Sequence, residues 1–397
     1  MNTENEISFS IGGTGGAYLL ADPGELFIEV EKQDLNLREV HTELRALLVS
    51  PDRRVLDEAR IPDDGQSAGS GQGPASRVRL STVVEHPGIY ALNITVSQDR
   101  YGENVVWGFR TNCPHYLIET ARGHKDERHT EPIVLDKPEL PGKVCFLPRD
   151  GEFTIELAAL PDETETVVVV DTGGNTLCEI EAHDGRATHT FPAGKRTGVP
   201  WRLELPGQKA VVHIDGVTRW DEEDICPDNA LWTPHPESWF PLHEHRWLIF
   251  PWRTMRHVRP GEQGKVSFSV HNNSSETREF ELESSADAPR QHSELAAERG
   301  DYVLSCNNLA LKPWERRDVH LTFTAPGYPG ETDWKETCLV RVTPLSHPEC
   351  STYAALDLRS GTAPAFSKFQ APLVLGPYEH ENQQFGYVPD YPTSNQV

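Results

Sequence analysis

Apolar residues recur at every second position through most of this chain. That period fits a strand with one buried face, and it does not fit a helix. Leu26, Ile28 and Val30 share one face of Leu26–Lys32, with Glu29 and Glu31 on the other. Leu44–Val49 and Val55–Ile61 flank Ser50-Pro-Asp-Arg-Arg54, which reads as a hairpin. Val78–Val84 and Ile89–Val96 follow, and Tyr90 stands where immunoglobulin-like sandwiches place a corner tyrosine. No long stretch carries the helical period, so coiled coils and helical bundles are excluded. The fold class is all-β, with tandem immunoglobulin-like β-sandwiches and little helix.

Length and charge narrow the function. At about 100–200 residues per domain, 397 residues make two to four domains. There are 37 basic and 61 acidic side chains, a net charge of −24. Such a surface repels phosphate backbones, so nucleic acid is not an expected partner. The longest apolar run, Trp247–Trp252, is far short of the ~18 residues of a spanning helix, so no membrane span is expected. The seven cysteines contain no C-x-x-C pair, which argues against zinc ribbons and thioredoxin-like sites and leaves buried thiols or scattered disulfides. The start, Met1-Asn-Thr-Glu-Asn-Glu6, lacks the basic and apolar segments of a signal peptide.

Turn signals divide the chain as follows: a sandwich over 1–110, a polar linker over 111–142, a smaller sandwich over 143–222, an aromatic-rich strap over 223–252, a third sandwich over 253–358 and an extended tail over 359–397. Within the first sandwich, Pro62–Arg77 is Gly-, Ser- and Asp-rich. It has too few apolar side chains to order itself and reads as a mobile loop.

Several groupings carry chemistry. Gly65-Gln-Ser-Ala-Gly69 matches a nucleophile elbow as a string but lacks the strand before it and the helix after it. Asn112, His115, Tyr116, Arg122, His124, Asp126, Arg128 and His129 form the densest polar segment. His115, Tyr116, Arg122, His124 and Arg128 are the residue types an anion-neutralising, proton-abstracting site needs, while a solvated loop with internal ion pairs is the plainer account. On a strand, His243 and His245 would share a face and make half of a metal site; surface histidines are the alternative. Acid runs such as Asp162, Glu163 and Glu165, or Asp221–Asp224, are a pattern that suits a structural calcium, and no other cofactor is called for. Five of the nine tryptophans fall in 220–252. Of these, Trp232, Trp239, Trp247 and Trp252 are candidates for a carbohydrate platform, since indole faces stack on sugar rings; packing at a domain junction is the other reading.

The third sandwich carries Pro260-Gly-Glu262, then Val266-x-Phe268-x-Val270-x-Asn272-Asn. It continues with Leu311-Lys-Pro-x-Glu315-Arg-x-x-Val319-x-Leu321-x-Phe323-x-Ala325-Pro326. This layout resembles the immunoglobulin-like accessory domains of bacterial carbohydrate-active enzymes and surface proteins. The whole arrangement is similar to the N-terminal part of heparinase-type polysaccharide lyases. The resemblance implies a non-catalytic accessory or scaffold module of an exported, extracellular or periplasmic protein. Its partners would be a polysaccharide or a linked catalytic domain. An enzyme acting on acidic polysaccharide and a protein-binding adhesin module are the alternative expectations.

Overall fold

The structure is a computed structural model. It describes residues 7, 9–99, 103–119, 132–137, 142–195, 199–219, 231–245, 248–286, 300–327 and 334–361. Their regular structure is nearly all strand, in two compact bodies that divide at residue 240.

The first body begins with β1 (Phe9–Gly12), β2 (Gly15–Ala21), β3 (Gly24–Asp34), β4 (Leu44–Val49) and β5 (Val55–Ile61). It continues with β6 (Ser76–Val84), β7 (Gly88–Val96), β8 (Val105–Thr111) and β9 (His115–Glu119). Next come β10 (Ile133–Lys137), β11 (Gly142–Phe146), β12 (Phe153–Ala158), β13 (Thr166–Val170) and β14 (Thr176–His183). Last are β15 (Arg186–Phe191), β16 (Trp201–Leu205), β17 (Gln208–Ile214) and β18 (Leu231–Thr233). The expected hairpin falls at β4 and β5 with the anticipated bounds, and Tyr90 is buried on β7.

One sheet runs β6-β3-β8-β1-β10-β17-β12-β15-β14. The facing sheet runs β5-β4-β7-β2-β9-β18-β11-β16-β13-β14. Two short strands fuse what the sequence suggests are separate sandwiches. Strand β1 pairs through Phe9 and Ser10 with β10, and through Ile11 and Gly12 with β8. Strand β18 lies between β9 and β11. One hydrophobic core therefore extends from Phe9 to Trp232. At the seam the Phe9 ring meets Phe109 and Trp232 edge-on, with centroids 5.4 and 5.5 Å apart. The expected linker over 111–142 thus holds two sheet strands, β9 and β10. Its polar composition hid the short apolar pair Leu117–Ile118 and the alternation Ile133, Leu135.

Close approach at this seam requires Gly108, because a Cβ there would lie 2.3 Å from the Phe9 carbonyl oxygen and 2.6 Å from Ile7 Cγ2. Replacing Gly108 with Ala is expected to push β1 off β8 and cost ~1–3 kcal/mol, the usual range for overpacking. A lower denaturant midpoint at unchanged slope is the check, and an unchanged midpoint would show that β1 is not fixed at this place.

The inward phase of β3 does not stop at Val30. Leu26, Ile28, Val30, Lys32 and Asp34 are all buried, so the strand drives a charged pair into the sandwich end. Lys32 Nζ donates to Asp34 at 2.6 Å and to the carbonyls of Thr42 and Pro62 at 3.2 and 2.9 Å, which uses all three of its donors. The Thr42 hydroxyl donates to the other Asp34 oxygen.

This clasp also orders the segment expected to be mobile. The Thr42 and Gly65 amides donate to Asp63 at 2.9 Å each, and Asn36 Nδ2 donates to Asp64 at 3.0 Å. The amides of Gly69 and Gly73 reach the carbonyls of Asn36 and Asp34. Burial opposes the charge on Asp63, but these amides outweigh it and hold the carboxyl below its ordinary range. A Cβ at Gly73 would fall 1.8 Å from an Asp64 oxygen, so this carboxylate packs directly against the glycine. Polar groups, not apolar burial, fix residues 62–75.

The second body opens with a short helix, α1 (Leu242–His245), then β19 (Ile249–Phe250), β20 (Arg253–Val258), β21 (Gln263–His271) and β22 (Arg278–Ala286). It ends with β23 (Asp301–Leu304), β24 (Asn308–Leu311), β25 (Arg316–Thr324), β26 (Lys335–Pro344) and β27 (Thr352–Ser360). The sheets β19-β21-β25-β23 and β20-β27-β26-β22-β24 face each other across Val266, Phe268, Phe280, Leu282, Leu321 and Leu356. The chain changes sheet at the Phe250–Pro251 cis peptide, and β20 then runs parallel to β27. This is the immunoglobulin-like sandwich expected from the alternation.

Candidate functional site

The sequence candidates scatter. His115 and Tyr116 lie on β9. The Tyr116 ring packs edge-on against Phe109 and His235, at centroid distances of 5.5 and 6.1 Å. Burial, then the nearby Glu237, pushes its phenol well above the ordinary tyrosine range, which is the wrong direction for a base. Arg122, His124, Asp126, Arg128 and His129 lie outside the described residues.

Trp232 is fully buried on β18 with its indole in the seam, so the platform loses that face. All three residues of β18 are buried, and Trp232 belongs to the core of the first body. Trp239 caps a 3-10 turn, Pro236–Ser238, and is partly buried. Trp252 is partly buried in the second body, where its carbonyl accepts the Ala355 amide at 2.8 Å. Trp247 lies outside the described residues. The strap is therefore not one element.

The segment carrying His243 and His245 is helical, not extended, so the two residues do not share a strand face as expected. Pro241 just before this turn favours a helical start over a ladder. His245 is fully buried; the His243 side chain lies outside the description. Arg278 Nη1 lies 3.4 Å from His245 Nδ1, and an arginine can only donate. The ring proton therefore sits on Nε2, which is buried without a partner. The His347 ring lies edge-on with centroids 4.7 Å apart, and His347 Nδ1 is 3.2 Å from Glu349. Burial, Arg278 and His347 together push the His245 pKa down to about 3. Among the described residues no grouping of three or more His, Cys, Asp or Glu side chains could hold a metal ion, and the acids at 162–165 form no calcium cage.

The six described cysteines are free thiols. Burial raises Cys145, Cys338 and Cys350 to about 12, so they pack as small hydrophobes and not as nucleophiles.

One site went unread at the sequence level. An open cleft of about 840 Å³ lies where β20 turns into β21, lined by Met255, Arg256, His257, Arg259, Glu262 and Gly361, among others. At the start of β20, outside the cleft lining, the Arg253 guanidinium grips buried Asp357 through two bonds of 2.7 and 3.0 Å. Burial works against the Asp357 charge, yet Arg253 and the Thr337 hydroxyl more than offset it and hold the carboxyl below its usual range. That acid is spent. Arg256 and Arg259 make no side-chain ion pair with any described residue. The nearest signal in the sequence is local charge. Residues 1–240 hold 22 basic and 41 acidic side chains, whereas 241–361 hold 14 and 17, three of the former being the arginines at 253, 256 and 259. Averaging over the whole chain conceals this.

Two bodies of immunoglobulin-like β-sandwiches, one fused and one single, define the class of this chain. No family model and no curated protein matches the sequence. Solved structures similar to parts of it include a PapD-like domain of human CEP192, at 18% identity and a TM-score of 0.22, over 30% of this chain and 84% of that one. Another is the adhesive subunit CfaE of enterotoxigenic Escherichia coli, at 9% identity and a TM-score of 0.19, over 56% of this chain and 94% of that one. Escherichia coli alpha-2-macroglobulin aligns over 91% of this chain but only 32% of its own length, at 10% identity and a TM-score of 0.23.

Proposed function

We propose that this chain is a non-catalytic docking and spacing module of an exported polysaccharide-handling protein. The observation that supports this reading is the cleft at β20. It is open and lined by Arg256 and Arg259, which make no side-chain ion pair with any described residue, together with the exposed Met255 side chain. Concave surfaces with a few convergent polar groups are the usual form of ligand sites. The sandwiches would hold this surface at a set distance from whatever domain it serves.

Affinity electrophoresis tests the reading directly. The purified chain is run in native gels cast with neutral and with uronic-acid polysaccharides. Retardation in at least one gel, absent from a plain gel, is the expected result. Equal mobility in every gel would remove the docking role and leave a protein-interaction module as the better account. For that second reading the favouring feature is β23, a four-residue outer strand with Val303 64% exposed, where strand addition to a partner would start.

A further inference from the structure

The β20 cleft has a defined chemistry. We infer that it takes a carboxylate-bearing saccharide unit, an inference that rests on the docking role proposed above.

Arg256 and Arg259 supply planar guanidinium forks that engage no acid among the described residues, and such forks match a carboxylate through two parallel bonds. The one acid in the lining is Glu262, whose carboxylate accepts the Arg259 amide at 2.9 Å. Its charge leaves the cleft only modestly positive. That balance suits a monoanion better than a phosphate, which carries about −1.5 to −2 at neutral pH.

His257 adds a further donor. Its Nδ1 is buried without a partner. An orphaned N–H is rarer and costlier than an orphaned acceptor, so the ring proton belongs on Nε2. Nε2 makes no bond within the described residues and is available to a hydroxyl. Met255, 45% exposed, offers an apolar wall for the C–H face of a sugar ring.

An acidic peptide would bring the same carboxylate but would need backbone partners for strand addition. In the turn they are already used. The Gly261 amide donates to the Ala325 carbonyl, the Glu262 amide to the Arg259 carbonyl, and the Ala325 amide to the Glu262 carbonyl, at 3.2, 3.0 and 2.8 Å. In the turn, recognition therefore runs through side chains, which is the mode open to a saccharide; the outer edge of β20 is the place left for a peptide, and the poly-glutamate arm of the test reads it.

The test measures binding of the full chain to polygalacturonate, neutral dextran and poly-glutamate by titration calorimetry at low salt. The expected result is binding to polygalacturonate alone. It should weaken at least tenfold in Arg256→Ala/Arg259→Ala, and severalfold in His257→Phe or when salt is raised to 0.3 M. The two arginines are exposed and His257 is partly buried, and unchanged thermal melting shows that both variants fold. Binding to dextran that survives the double substitution would overturn the carboxylate inference and keep the docking role. Equal binding to poly-glutamate and polygalacturonate would overturn the saccharide class in favour of an acidic peptide. No binding to any of the three would overturn both readings.

Discussion

Acidification from pH 7 to 4.5 is expected to destabilise the second body by about 2.5 kcal/mol through His245 alone. The sign follows from the direction of the shift. In the unfolded chain this imidazole takes a proton near its ordinary 6.5, whereas in the folded chain burial, Arg278 and His347 hold its pKa at about 3. The unfolded state thus binds more protons between those values. Stability is full above pH 6.5 and falls steadily as the pH drops towards 3. Hydrogen exchange read on peptides from 248–361, across a pH series corrected for intrinsic rates, isolates this body from the other. His245→Phe should flatten the profile. It should also cost little at pH 7, about 1 kcal/mol or less, because it removes a buried donor that has no partner. A profile equally steep in the variant would assign the acid sensitivity elsewhere.

The largest effect of a single substitution is expected at Lys32. Lys32→Met should destabilise the first body by about 3–5 kcal/mol, because it strands the Asp34 carboxylate in a site where both groups are buried. The loop at 62–75, tied to Asp34, Asn36 and Thr42, should become a site of rapid proteolysis while the native state still predominates. The double change Lys32→Met/Asp34→Leu should recover much of the loss in denaturant unfolding, since two apolar groups leave no uncompensated charge. If the single variant matches the parent in both assays, the pair is not what holds this end of the sandwich.

The strands were legible because burial on one side of a sheet writes itself as alternation, and β3, β12 and β21 show it plainly. What the sequence conceals is a change in the character of a face at constant phase. Lys32 and Asp34 continue the inward positions of Leu26, Ile28 and Val30, and reading the phase past Val30 would have found the clasp. The seam at β1 and β18 was hidden for another reason. Strands of three and four residues carry too few positions to establish a period, and their partners lie up to about 125 residues away, where local pattern has no reach. The tryptophans misled because aromatic density marks packing as readily as stacking, and burial, which decides between them, is a tertiary property. The β20 cleft was missed because its arginines stand out only against the neutral surroundings of the second body.

The fused seam bears on how this part of the chain can be inherited or cut. A sandwich that shares no strands can be shuffled between genes as a cassette, entire at each border. Here a border drawn near residue 110 would strip β9 from beside β2 and take away the β10 and β18 partners of the seam. The Phe9 and Phe109 rings would then face water where Trp232 had covered Phe9. Residues 9–233 are accordingly expected to express and fold only as one unit. Duplication, loss or recombination is expected to leave its two lobes together.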